Sequence, residues 1–122
     1  MGARVALVER DKLGGDCLHT GCVPTKTLVK SARVASLIDH SEEYGIKTSG
    51  YEVNFPAIMD RMVRVVRSAG EHDDPDRIRG LGVDVFLDEA RFTSPDEVAV
   101  DGRRLTTRNA IIATGSHSTA PP

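Results

Sequence analysis

The chain has no excess of charge of either sign: 16 Lys and Arg face 18 Asp and Glu in 122 residues, a formal net charge of −2. The two signs alternate along the sequence instead of clustering, which excludes the electrostatic footprint that nucleic acid or an anionic lipid surface requires. No apolar run approaches the roughly 20 residues needed to cross a bilayer. The opening Met1-Gly-Ala-Arg-Val lacks the basic-then-apolar plan of a signal peptide, so neither a membrane nor a nucleic-acid partner is expected, and the cytoplasm is the expected location. There is no internal repeat and no low-complexity segment. With only two cysteines, the multiple bridges of a secreted disulfide scaffold are excluded.

What remains is an ordinary globular composition, 39% hydrophobic and 28% charged, of a size for one compact domain or a piece of one. Arg4-Val-Ala-Leu-Val-Glu9 is β-branched and apolar and ends in an acid, the pattern of a buried strand leaving the core at Glu9. Gly14-Gly15 marks a tight loop. From Pro24 to about Glu43 the spacing of Leu28, Ala32, Ala35 and Ile38 predicts a helix, with Tyr44-Gly45 as its stop. A second helix is expected from Asn54 as N-cap and Pro56 in the first turn. It carries Phe55, Ile58, Met59, Met62, Val66 and Ala69 at three-and-four spacing, a core stripe rather than a cofactor lining.

Asp74-Pro75 starts a short helical turn that closes at Gly80-Leu-Gly82, after which the apolar period switches to two. Val83–Leu87, Ala90–Thr93, Glu97–Val100 and Arg103–Thr106 read as short strands of an antiparallel meander, with Asp101-Gly102 as a two-residue hairpin signal. Asn109-Ala-Ile-Ile-Ala-Thr-Gly115 alternates little, which predicts a strand buried on both faces of a parallel sheet and sharing that sheet with Val5–Val8. Ala120-Pro121-Pro122 is expected to fray.

The two thiols stand in Cys17-Leu-His-Thr-Gly-Cys22, between a glycine pair and a helix start. A disulfide needs Cα atoms about 4.4–6.8 Å apart, which a regular helix does not offer at i and i+5, so Gly21 must let the first turn distort if the two are to meet. A bonded pair here would be strained and accessible. The helix N-terminus and the nearby Lys26 favour thiolate, the setting of a low-pKa redox thiol, with Cys22 covered in the first turn and Cys17 the more reactive. Two other readings stand beside this one: buried structural thiols, or a metal site of Cys17, Cys22 and His19. The latter lacks a second ligand pair, because His40, His72 and His117 are isolated, so no metal centre is expected.

Leu13-Gly-Gly-Asp-Cys-Leu-His-Thr-Gly-Cys-Val-Pro-Thr-Lys26 resembles the active-site signature of the pyridine nucleotide-disulfide oxidoreductases, the group of glutathione reductase, dihydrolipoamide dehydrogenase and mercuric reductase. Val5–Glu9 is similar to that family's second FAD-domain strand, and Asn109–Ser116 to its later FAD motif. The resemblance implies an α/β fold: an incomplete Rossmann-like FAD-binding domain over residues 1–122, a parallel sheet with helices plus an antiparallel β-meander. It further implies that Glu9 hydrogen-bonds the adenosine ribose and that Gly15 and Asp16 open the loop and helix lying against the FAD pyrophosphate. Cys17 would be the interchange thiol, Cys22 the flavin-facing thiol, and Lys26 the cation near the flavin. Ala90 would contact the adenine through its backbone, and Thr114 with Gly115 would belong to the late FAD motif. Asp16 stands where the family often has Thr, His19 where Asn is common and Asp88 where Gly is common; the acidic loop is similar to that of mercuric-reductase-like members.

Only eight residues precede Glu9, whereas a glycine-rich phosphate loop lies about 20 residues before the ribose acid in dinucleotide folds. The expectation is therefore a fragment lacking its first strand, its NAD(P)H domain and its C-terminal dimer domain, one that binds FAD poorly and self-associates through open sheet edges. The implied parent is a homodimer that takes electrons from NAD(P)H through FAD to a Cys17–Cys22 disulfide and on to a small disulfide or Hg(II). The alternative is a non-catalytic remnant of a dinucleotide domain, acting as an interaction or metal-binding module.

Overall fold

A computed structural model describes residues 2–116, 119 and 120. They fall into two compact units: the first comprises the chain up to Gly15 and from His72 onward, the second Asp16–Glu71. The parallel sheet, helices and antiparallel sheet together form the expected α/β architecture, a partial Rossmann-like domain. No described helix is long and apolar enough to cross a membrane.

In the first unit, strand β1 (Val5–Val8) pairs in parallel with β2 (Val83–Phe86), Val5 opposite Val83 and Val8 opposite Phe86. The Glu9 amide extends the ladder to the Phe86 carbonyl at 3.0 Å. Parallel pairing needs a long crossover, and the intervening chain supplies one. Helix α4 (Pro75–Gly80) packs beside β2. Asp74 caps it as expected, its carboxylate accepting from the Asp76 and Arg77 amides at 2.8 and 3.1 Å, and Gly82 turns the chain into β2 at φ +83°. This corrects the sequence reading at one point. Val83–Leu87 was expected in the meander, but its β-branched residues pair with the equally apolar β1, so the meander contains only three strands.

Those strands are β3 (Arg91–Ser94), β4 (Glu97–Val100) and β5 (Arg103–Thr106), antiparallel in that order. The hairpin at Asp101-Gly102 is the one the sequence predicts: both residues adopt positive φ, 49° and 66°, the left-handed pair that matches strand twist. Val100, only 2% exposed, is the buried centre of this unit. The Arg103 guanidinium stands 5.9 Å from the Phe86 ring centroid, a cation–π approach that links β5 to β2.

The run Asn109–Gly115 is a second correction. It forms no strand, and Ile111 and Ile112 are 94% and 73% exposed. A strand apolar on both faces is stable only with hydrogen-bonded neighbours at its edges and cover on both faces. Neither is provided among the described residues, so Ala110–Ala113 does not share a sheet with Val5–Val8. Pro121 and Pro122 of the expected frayed end lie outside the described residues, as does His117.

The second unit is a helical hairpin with a short leading helix. Helix α1 (Gly15–His19) begins at the junction, α2 (Cys22–Asp39) follows, and α3 (Phe55–Gly70) returns against α2. A 3-10 turn at Ser41–Tyr44 replaces the last turn expected of α2, and Gly45, at φ +74°, closes it by donating to the Glu42 carbonyl. Asn54 caps α3 through the Ala57 amide at 3.0 Å, with Pro56 in the first turn. The residues half-buried between the two long helices are the predicted periodic ones, Leu28, Ala35 and Ile38 with Ile58, Met59, Met62, Val66 and Ala69. Ala32 and Phe55 are instead exposed. Half-burying a Leu or Ile contributes roughly 1 kcal/mol, about half the value of full burial. Hydrogen bonds supplement this packing at the far end, where the Tyr51 hydroxyl donates to Asp39 at 3.1 Å.

Candidate active site at the cysteine pair

The two cysteines sit on different helices that are broken apart by Thr20-Gly21. The break is held by one oxygen. The Asp16 carbonyl accepts from the Thr20 amide at 3.0 Å, the Gly21 amide at 2.6 Å and the Thr20 hydroxyl at 3.3 Å. Gly21 caps α2 at φ −116°, ψ −105°. A Cβ placed on it would lie 3.0 Å from the Asp16 oxygen and 3.7 Å from the Cys17 Cα. The distortion expected at Gly21 is therefore present, and its result is contact between the thiols: Cys17 hydrogen-bonds both the side chain and the backbone N–H of Cys22.

Both sulfurs are free thiols and both are exposed. Exposure of Cys22 corrects the expectation that the first turn of α2 covers it. The electrostatics require a further correction, because the Cys17 pKa is raised rather than lowered. The largest cause is the side-chain hydrogen bond to Cys22, followed by desolvation and by repulsion from Cys22 when both sulfurs carry charge. The Cys22 N–H and the Lys26 charge work in the opposite direction and are outweighed. A helix terminus and one exposed lysine act weakly in high dielectric, whereas a thiol donating a proton to its neighbour loses that bond on ionising.

Leu18 is the part of this site that sequence reasoning missed. It is 6% exposed, the only buried hydrophobic residue described in this unit, and it follows Cys17 directly. The signal was available as a single apolar residue among polar ones in Asp16-Cys-Leu-His19.

The other candidates are placed individually. Glu9 ends β1 with its carboxylate accepting the Asp11 amide at 2.8 Å. An acid at the carboxyl end of a parallel strand suits a ribose hydroxyl. Gly15 turns at φ +53° with open space where a Cβ would project, so nothing of its own obstructs close approach of a ligand. Asp16 and Lys26 are exposed on α1 and α2, and Ala90 is half-buried just before β3. Thr114 and Gly115 lie in the exposed irregular segment, Gly115 at φ +71°. The structure thus brings Cys17, Cys22 and the Asp16 backbone together. Within the second unit, an exposed pair of thiols is the chemistry of a two-electron exchange partner.

The chain is 43% identical over 123 residues to a dihydrolipoyl dehydrogenase of Acholeplasma laidlawii, covering 99% of this chain and 36% of that protein. It is 31% identical over 121 residues to a mercuric reductase of Bacillus cereus, covering 99% of this chain and 19% of that protein. Among solved structures, a Cu(II) complex of an HOCl-induced flavoprotein disulfide reductase from Escherichia coli superposes with a TM-score of 0.72 at 27% identity, over 99% of this chain and 24% of that one. The chain therefore spans about a third or less of the length of the relatives it matches. The family model for pyridine nucleotide-disulphide oxidoreductases matches residues 1–122, and the chain belongs to that family.

Proposed function

We propose that this chain supplies the redox dithiol and part of the FAD-binding domain of a cytoplasmic, homodimeric oxidoreductase acting on a small disulfide or Hg(II). The observation that carries the reading is the hydrogen-bonded contact between the exposed thiols of Cys17 and Cys22. Cys17 loses its proton to solvent and its thiolate attacks one sulfur of the substrate, releasing one substrate thiolate and leaving a mixed disulfide. The Cys22 thiolate then attacks Cys17 Sγ, releasing the second substrate thiolate and closing the Cys17–Cys22 bond. Two electrons leave the cysteine pair and both substrate sulfurs are reduced. With Hg(II) the same two thiolates act as soft ligands.

The chemistry that FAD supplies when bound, with NAD(P)H behind it, is the electron pair that returns Cys17 and Cys22 to thiols. By the family resemblance, Glu9 would hold the ribose, Gly15 and Asp16 would meet the pyrophosphate, Ala90 would contact the adenine through its backbone, Thr114 and Gly115 would form the late FAD motif, and Lys26 would provide a cation for the reduced cofactor. In this reading the edges of β1 and β2 that no described strand pairs are where the chain self-associates.

The test is exchange with a small disulfide. Reduced protein is mixed with lipoamide, quenched in acid and peptide-mapped. Closure of an intrachain Cys17–Cys22 disulfide is the expected result. Accumulation of mixed disulfides on each cysteine without closure would overturn the reading.

A further inference from the structure

Helix α3 carries no cysteine, yet it touches both segments that do. At its last residue, Gly70, a Cβ would stand 3.3 Å from Leu18 Cδ2, so the absence of a side chain is what lets buried Leu18, the neighbour of Cys17, settle against the helix end. Gly70 is not in the left-handed region, so backbone conformation does not demand glycine there. Two and a half turns earlier, Arg61 Nη1 donates to the Thr27 carbonyl of α2 at 3.1 Å. Thr27 is only 5% exposed, and its hydroxyl donates back to the Val23 carbonyl at 2.8 Å, one residue beyond Cys22. One helix therefore contacts both cysteine-bearing elements, at the residue after Cys17 and at Thr27, five residues after Cys22.

We propose that Gly70 and Arg61 are positioning residues for the dithiol, Gly70 setting the depth of α1 through Leu18 and Arg61 fixing the first turn of α2 through Thr27. The inference rests on the redox reading above and deepens it. Disulfide closure is sensitive to the separation and direction of two Cβ atoms. Here those atoms belong to two helices joined by a distorted break, and a common helix is the simplest rigid reference for both. Arg61 is suited to the task because its guanidinium is always charged and a charged donor to a part-buried carbonyl makes a stronger bond than a neutral one.

The experiment equilibrates the full chain with glutathione buffers, in which one oxidised glutathione takes two electrons from the cysteine pair and leaves as two reduced glutathione molecules. Acid quenching and mapping give the equilibrium constant for the Cys17–Cys22 bond. Gly70→Ala and Gly70→Leu improve helix propensity but crowd Leu18, so a purely structural role predicts a constant that only follows the change in stability. The positioning role predicts a constant that falls in order of side-chain size, by about tenfold for Leu, the effect of roughly 1.4 kcal/mol. Arg61→Met should give a fall of similar size and Arg61→Lys should restore part of it.

Tyr51→Phe removes the Asp39 hydrogen bond at the far end of the same hairpin and reports loosening without contact to the thiol turn. A constant unchanged by Gly70→Leu and Arg61→Met overturns the proposal, as does one that merely follows melting temperature along the same line as Tyr51→Phe. If the unsubstituted protein forms no intrachain disulfide in any buffer, the redox reading itself fails. That outcome is distinct from closure that is indifferent to α3.

Discussion

The Gly21 amide donates to the Asp16 carbonyl at 2.6 Å, and a β-carbon on Gly21 would stand 3.0 Å from that same oxygen. One backbone contact thus closes the turn that brings Cys17 to Cys22. Gly21→Ala forces this contact open, at a cost of about 1–3 kcal/mol of crowding if the turn is retained. The expected outcome is loss of tight binding to phenylarsine oxide, a probe that needs both sulfurs together, with each thiol still titrating normally with a monofunctional reagent. Tight binding retained in the Ala variant would mean that the turn does not set the sulfur separation.

The raised pKa of Cys17 predicts slow labelling at neutral pH. Its thiolate should form only above the ordinary thiol value, so the iodoacetamide rate at Cys17 should still be rising where an unperturbed cysteine has levelled off. Cys22→Ala removes the largest cause of the shift and the sulfur–sulfur repulsion while leaving the residue-22 N–H and Lys26, so the Cys17 midpoint should move downward; Lys26→Met should move it upward. The sign for stability follows. A raised folded-state pKa favours the protonated thiol, so its contribution is present below the ordinary thiol value and is lost as pH rises through the raised one.

Removing the cap of α3 tests the helical hairpin. Asn54→Ala deletes the acceptor of the Ala57 amide and should lower stability by about 1 kcal/mol, read as a lower urea midpoint with unchanged slope. Asn54→Asp keeps an acceptor and should leave the midpoint close to its original value.

The meander turn gives a test in the other unit. Gly102 sits at φ +66°, where an L side chain costs roughly 1–2 kcal/mol. Gly102→Val should therefore weaken amide protection along β4 and β5 in hydrogen exchange. Asp101→Gly, which relaxes the other positive φ without changing the turn type, should leave that protection nearly intact.

Much of the local structure was legible because its causes lie within a few residues of its effects. Asn54 and Asp74 start their helices by bonding amides two or three positions on, Asp101-Gly102 turns a hairpin through its own φ angles, and Gly21 announces a distortion between two cysteines. The family signature from Leu13 to Lys26 was legible for the same reason: it is contiguous. The fate of Asn109–Gly115 was not legible in this way. Its composition describes what the segment needs, neighbours and cover on both faces, and the described residues do not provide them.

The amino-acid sequence by itself determined where helices begin, where the hairpin turns, which two thiols meet and which family the pattern resembles, since these depend on side chains acting on nearby backbone. Only the tertiary structure decided that β2 pairs with β1 instead of joining the meander, because strand partners are chosen by matching surfaces far apart in sequence. It also decided the direction of the Cys17 pKa. The helix end and Lys26 are visible in the sequence and favour thiolate, but the hydrogen bond that the Cys17 thiol donates to the opposing sulfur outweighs them, and that bond exists only once the break at Thr20-Gly21 has formed.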